Sequence, residues 1–156
     1  MTAELPPDPD QRLEPAVLLS WAATGVAMTA VAAVLTAALP GVDGGWATLR
    51  VVALLVLALA AIVVGPALRY RNWRYAVREE EIDLRHGTWV VRRTIVPMAR
   101  VQHVDTSRSA LGQVLGIATL TIHTAAGAHS IPGIAAGNAD LLRNGIARRA
   151  RVPDDV

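Results

Sequence analysis

The chain has 156 residues, of which 53% are hydrophobic, only 4% are aromatic and none is cysteine. The absence of cysteine excludes disulfides, thiolate catalysis and cysteine-ligated zinc. The formal charge is +2 and all 15 basic residues are arginine. Because the planar guanidinium suits phosphate and carboxylate groups, this basic surface favours contact with lipid headgroups or an acidic partner.

Two uncharged apolar runs, at 16–39 and 51–68, predict two membrane-spanning helices. A helix rises about 1.5 Å per residue, so runs of this length match a hydrocarbon core roughly 30 Å thick. The acidic segment before the first run argues against a cleaved signal peptide. Between the runs, the turn residues of segment 40–50 predict a short external loop and antiparallel helices.

The distribution of arginine predicts how the hairpin is oriented. The external loop carries only Arg50, whereas Arg69, Arg71, Arg74 and Arg78 follow the second run. Positive residues favour the cytoplasmic side, so both termini are predicted there, in the plasma membrane. Trp73 is expected at headgroup level, where it would form a juxtamembrane anchor with the first three of these arginines.

Small residues recur every four positions along the first span and predict a surface for close helix packing, although an alanine-rich helix also yields such a stripe by chance. These residues are Gly25, Thr29, Ala33 and Ala37. The terminal segments 1–15 and 151–156 are rich in proline and aspartate, and are predicted to be disordered.

From residue 72 to 150 the apolar pattern alternates, which predicts a strand-rich domain. Strands are expected near 73–78, 81–86, 88–96 and 101–108, then a hairpin at 118–124 and 128–134. A turn, with room for a short helical piece, is expected between Ser109 and Gly116. Asn138 is predicted to cap a final amphipathic helix with Asp140 in its first turn.

Three stretches carry a resemblance to a known family. They are IDLRHGTWVVRRTIVP (82–97), PMARVQHV (97–104) and LGQVLGIATLTIHT (111–124). Together with the preceding spans, they resemble the bacterial pleckstrin-homology-like family once called "membrane-flanked domain". Gln113 departs from the family, since many relatives carry a basic residue in this turn, which puts any contact made by that residue in doubt.

The resemblance implies an α+β membrane protein: a two-helix transmembrane hairpin followed by a pleckstrin-homology-like β-sandwich or partial barrel, capped by a C-terminal helix. It also implies a non-enzymatic interaction role without a cofactor. The expected partners are membrane lipid and a membrane protein, for which a larger relative with several such domains is a candidate. Nucleic acid is not expected, because the basic residues are not interleaved with exposed aromatic side chains.

Several residue types typical of catalysis or metal binding occur in the domain. His103, Asp105 and Ser107 share one face of a strand, but a serine hydrolase needs all its groups in contact, and the sequence carries no nucleophile elbow. His123 and His129 are predicted on opposite faces of a hairpin, with no carboxylate nearby in sequence. The sequence therefore predicts no catalytic and no metal site.

Two charged clusters remain. Glu79, Glu80, Glu81 and Asp83 form an acidic run that is expected to be well solvated and to orient the domain below the membrane. Arg85, Arg92 and Arg93 form a candidate surface for a lipid headgroup or a partner. The alternatives left open are an interaction module, a sensor of anionic lipid and, more remotely, a hydrolase that uses His103.

Overall fold

Two long apolar helices precede the domain in the computed structural model, which describes residues 7–37 and 45–150. Helix α1 covers Val17–Ala37. Helix α2, Gly45–Leu59, continues through a π-helical turn, Ala60–Val64, into α3, Gly65–Asn72. Both apolar stretches are long enough to cross a membrane, and few of their side chains are buried. The second helix begins six residues before the predicted 51, and residues 40–44 of the predicted loop lie outside the described part.

The π-helical turn follows from Pro66, which has no backbone N–H for the regular helical ladder. The Gly65 N–H instead donates to the carbonyl of Ala60, five residues earlier. This turn packs closely on α1, because a Cβ added at Gly25 would lie 2.5 Å from the Ala61 carbonyl oxygen. Gly25 therefore fixes the approach of the two spans.

The other members of the predicted packing stripe take a smaller part. Thr29 is half-buried, and its hydroxyl donates to the Gly25 carbonyl within the same helix, at 2.8 Å. Ala33 is half-buried and Ala37 is exposed. The close contact between the spans is thus made at the end of the stripe nearest the domain.

Six antiparallel strands form two sheets in which neighbours follow chain order. The first sheet contains β1 (Arg74–Val77), β2 (Glu81–His86) and β3 (Arg92–Pro97); the second contains β4 (Val101–Ser107), β5 (Ile117–Thr124) and β6 (Gly127–Ala135). The third strand is shorter than predicted, since residues 88–91 form a loop. Alternate side chains of both sheets meet in one apolar core, whose fully buried members include Ile82, Leu84, Leu120, Ile122 and Ile131.

Two helices complete the domain. The short helix α4, Ala110–Leu115, is capped by Ser109, whose hydroxyl accepts from the Gly112 N–H at 3.0 Å. Helix α5, Ala136–Arg149, packs against β4 and β5 and closes the sandwich. The predicted fold, an α+β membrane protein with a helix-capped sandwich, is confirmed.

The predicted cap of the last helix is wrong. Helix α5 begins at Ala136, two residues before Asn138, because the Ala136 N–H donates to the Gly116 carbonyl at 2.9 Å and needs no side-chain cap. Asp140 consequently lies beyond the first turn, where it pairs with Arg108 at 3.2 Å.

The prediction of disorder before the first span is wrong for residues 11–15. Gln11 and Tyr75 exchange two backbone hydrogen bonds at the free edge of β1, and the Glu14 N–H donates to the Gly133 carbonyl in β6 at 2.8 Å. Leu13 is 3% exposed within the core. The segment, residues 11–14, thus joins the edge strands of both sheets. Residues 1–6 and 151–156 of the predicted tails lie outside the described part.

Candidate functional site

An apolar loop of the domain lies directly beside the second span. The Asn72 side chain at the end of α3 donates to the carbonyls of Gly87 and Thr88, both at 3.1 Å. The loop beyond this clamp exposes Trp89 by 83% and Val90 by 70%. Neighbouring exposed apolar side chains such as these mark an interaction surface, whereas single exposed apolar residues are common.

Thr88 also lines a cleft of about 550 Å³ between the two spans. Small and apolar side chains form most of its wall, and Arg69 lies at the end nearest the domain, where its guanidinium stacks 4.3 Å from the centre of the Trp21 ring. The cleft and the exposed loop form one surface, which we call the boundary surface. It comprises Trp21, Gly25, Leu57, Ala61, Arg69 and residues 88–91.

The predicted juxtamembrane anchor is wrong for Trp73. This side chain is 3% exposed, belongs to the domain core and stacks on His86 with ring centres 5.3 Å apart. The chain turns from α3 into β1 at this residue, which directs the indole inward. The tryptophans that belong to the boundary surface are Trp21 and Trp89.

The arginines of the predicted anchor occupy different environments. Arg71 is exposed at the end of α3. Arg74 donates to the Trp73 carbonyl at 2.6 Å. Partial burial, followed by the positive charge of Arg12, lowers the pKa of Arg74. The Arg74 side chain therefore bonds to the backbone where the second span joins the domain.

The three arginines predicted as a headgroup surface are partly committed to partners within the chain. Arg93 donates from Nε and Nη2 to both oxygens of the fully buried Asp83 carboxylate, with the shortest contact at 2.7 Å, and also pairs with Asp8 at 3.2 Å. Arg85 lies 3.8 Å from Asp8, and Arg92 is exposed. The bond from Asp83 is the main cause that raises the pKa of Arg93.

This arrangement corrects the prediction for the acidic run. Asp83 is not solvated: it is fully buried, and Arg93 and Arg78 supply its countercharge. Arg78 also pairs with Glu81 at 2.7 Å and donates to the carbonyl of Pro7. Residues 7 and 8 therefore pass over the outer face of the first sheet.

The second sheet adds His123 to His103 and Asp105, which the sequence already placed on one face of a strand. His103 and His123 face each other across β4 and β5, with rings 4.1 Å apart and nearly parallel. The Nε2 atoms of both lie 3.4 Å from Oδ2 of Asp105. The sequence neighbours of His123 include no carboxylate, so the prediction missed Asp105. Strand register brings Asp105 to His123 from the adjacent strand, β4. Ser107 lies opposite Thr119, further along the same strand.

A second pocket, of about 340 Å³, lies between the ends of the two sheets near α3. Arg69, His86 and His129 contribute to its wall. Burial, followed by the positive charges of Arg69, Arg92 and His129, lowers the pKa of His86. The neutral form of His86 is therefore the one that the folded domain favours.

The signal for the exposed loop was present in the sequence as Trp89-Val90-Val91, three apolar residues between Gly87 and Arg92. They were interpreted as part of a strand because the apolar side chains suit one equally well. Their contact with α3 depends on Asn72, and local pattern does not reveal it.

Comparison with known families shows to which family this chain belongs. Residues 16–150, including both spans and the whole sandwich, match the family described as Bacterial PH domain. The chain belongs to the bacterial PH domain family. The resemblance that was read from the strand and turn motifs is thereby confirmed.

This bacterial PH domain protein is also similar to UPF0699 transmembrane protein YdbS from Bacillus subtilis (strain 168), with 49% identity over 98 residues. The aligned region covers 63% of this chain and 62% of that relative. A solved structure with significant similarity was not found. With two apolar helices before the domain and a transmembrane relative, the chain is a membrane protein.

Proposed function

We propose that this bacterial PH domain protein is a non-enzymatic interaction module that helps assemble a membrane protein complex. The boundary surface supports the proposal: an exposed apolar loop of the domain continues into an open cleft between the spans. A partner that covers both parts must itself have a segment in the membrane and a part at its surface. A larger relative with several such domains has this character.

The cleft suits a helix of another membrane protein. Ala32, Ala61 and Gly65 in its wall are small enough to let a neighbouring backbone approach closely. Within bilayers, close packing of this kind drives helix association, since lipid tails are as apolar as the side chains themselves. Trp89 would add a large aromatic contact at the rim, the type of side chain that contributes most at interfaces.

This proposal includes the statement that the protein is not an enzyme. The group of His103, Asp105 and His123 lacks a contact with Ser107 among the described residues, so the arrangement of a serine hydrolase is not supported. The proposed location is the plasma membrane, with the domain and the N-terminal segment in the cytoplasm. The arginine bias around the second span supports that orientation.

The test is affinity purification of the full-length protein, tagged at its C-terminus, from native membranes in mild detergent. Mass spectrometry would quantify the proteins recovered with wild type, Trp89→Asp and Val90→Asp. We expect a membrane protein in stoichiometric amounts with wild type and its loss from both variants, because a buried aspartate without a partner opposes association. The matched control is Val114→Asp, since Val114 is 83% exposed but lies on α4, away from the boundary surface.

Equal recovery from Trp89→Asp and Val114→Asp would contradict the role of the boundary surface. A wild-type protein that purifies alone would contradict assembly and favour the second candidate, a sensor of anionic lipid. Asp8 supports that candidate: it is 73% exposed where it pairs with Arg85 and Arg93, so a phosphate group could displace it. Reconstitution with anionic or neutral lipid, compared between wild type and Arg85→Ala, would then test headgroup recognition, since Arg85 is one of the arginines that Asp8 covers.

A further inference from the structure

The outer face of the second sheet presents two imidazoles and a carboxylate at one point. Residues two apart on a strand share a face, so His103 and Asp105 project from β4 together. The register then places His123 of β5 directly opposite His103. Ligand atoms from all three residues lie within 4.8 Å of one another.

Two of the three spacings match the ligand shell of a tetrahedral metal ion. Bonds of about 2.0–2.1 Å from Zn²⁺ to nitrogen or oxygen imply roughly 3.3–3.4 Å between neighbouring ligand atoms. Both imidazole Nε2 atoms lie 3.4 Å from the same Asp105 oxygen. An ion at this point would need the two stacked imidazoles to turn so that both Nε2 lone pairs converge on it, while the strands that carry them keep their register.

The ligand types determine which ions fit. Two imidazoles and one carboxylate suit Zn²⁺, Co²⁺, Ni²⁺ or Cu²⁺, whereas Mg²⁺ and Ca²⁺ prefer sites built from oxygen alone. We infer that His103, Asp105 and His123 form a binding site for a divalent transition metal ion. The side chains of His103 and Asp105 are 60% and 63% exposed, so solvent water completes the shell.

Cobalt provides a direct probe, because bound Co²⁺ in a tetrahedral site absorbs visible light. The full-length protein would be purified in detergent without a polyhistidine tag, freed of metal with a chelator, and titrated with Co²⁺ and then Zn²⁺. We expect one Co²⁺ per chain, displaced by Zn²⁺. Binding weakens as the pH is lowered, since imidazole must be neutral to bind metal.

Ligand variants identify the site. We expect His103→Ala and His123→Ala to abolish saturable Co²⁺ binding, and Asp105→Asn to weaken it by at least about tenfold. The control His129→Ala removes a histidine of the same hairpin from the opposite face, and should bind as wild type does. Thermal unfolding without metal checks that each variant is folded.

Two results with wild type or the ligand variants would overturn the inference. One is a folded wild-type protein that shows no saturable binding of Co²⁺ or Zn²⁺. The other is binding that persists unchanged in the folded double variant of His103 and His123, which would place the metal elsewhere. Loss of binding from His129→Ala alone would likewise exclude the proposed ligands.

Discussion

Among the described residues, Asp83 is a fully buried carboxylate that is paired with two arginine side chains. Removing one partner of a buried ion pair is strongly destabilising, because the remaining charge stays out of water without compensation. Arg93 is the partner that meets Asp83 with its fork. The predicted headgroup surface therefore includes a residue, Arg93, that stabilises the fold. A loss of lipid binding in an Arg93 variant could then arise from unfolding alone.

We predict that Arg93→Met lowers the thermal unfolding midpoint by several degrees, whereas Arg92→Met changes it little. Arg92 is the matched control, since it is the adjacent and likewise exposed arginine but lies opposite His86 at the end of β2, and the salt bridge to Asp83 is made by Arg93. Tryptophan fluorescence in detergent measures the midpoint, with the buried indole of Trp73 as a reporter of the core. Equal midpoints for the two variants would show that Asp83 does not rely on Arg93.

The lowered pKa of His86 predicts a loss of stability in acid. The unfolded chain takes up this proton near its ordinary pKa of about 6.5, whereas the folded domain does so only at lower pH. The stabilising effect is therefore present above about pH 6.5 and is lost as pH falls through the folded-state value.

The unfolding midpoint of wild type should thus fall between about pH 7.5 and 5.5 by more than that of His86→Gln. Arg92→Gln should also reduce the fall, because it removes one of the positive charges that lower the pKa of His86. A fall that is as large in His86→Gln as in wild type would assign the acid sensitivity to other groups.

At the scale of the elements, most strands could be predicted from the sequence because each carries its own signal. Alternating side chains in β2, β5 and β6 mark one buried face, and the turn after Thr124 separates the last two strands. The two spans follow from length and the absence of charge. These features depend on neighbouring residues only, so a local pattern is sufficient.

Contacts between distant segments could not be predicted in the same way. The segment that contains Leu13 looks like a disordered tail by composition, yet its backbone bonds to Tyr75 and Gly133. Asp105 reaches His123 only because of strand register, and Asn72 reaches the loop at Thr88 only because α3 ends beside it. Pairings of this type depend on the complete fold.

We predict that Leu13→Ala destabilises the domain by about 2–5 kcal/mol, the usual cost of emptying a leucine site in a core. Leu13 is 3% exposed although it precedes the first span. Leu19→Ala is the control, since Leu19 lies on α1 and is 60% exposed. Thermal unfolding followed by tryptophan fluorescence distinguishes them, and equal midpoints would mean that the N-terminal segment adds nothing to the core.

At the scale of the whole molecule, the domain contacts the chain at both ends of the helical hairpin, before α1 and after α3. Helix α3 leads directly into β1, and the N-terminal segment, residues 11–14, bonds to both sheets. The domain is therefore fixed against the hairpin without a flexible linker. This mounting keeps the boundary surface together as one unit.

The proposed orientation can be tested with cysteines, because the natural chain has none. We predict that Asp43→Cys, in the predicted external loop, reacts with a membrane-impermeant maleimide on intact cells. Asn144→Cys, exposed on α5, should react only after the cells are permeabilised. The reverse pattern would place the domain outside and contradict the arginine bias.

The bonds of the N-terminal segment also set an order for biosynthesis. Gln11 and Glu14 leave the ribosome before either span, whereas Tyr75 and Gly133, their partners, follow both. The seam between the sheets can therefore close only after both spans and the last strand, β6, have been synthesised. Until then Leu13 and the edges of β1 and β6 lack these contacts, so one of the first segments to be synthesised is bonded to the domain only after its last strand has formed.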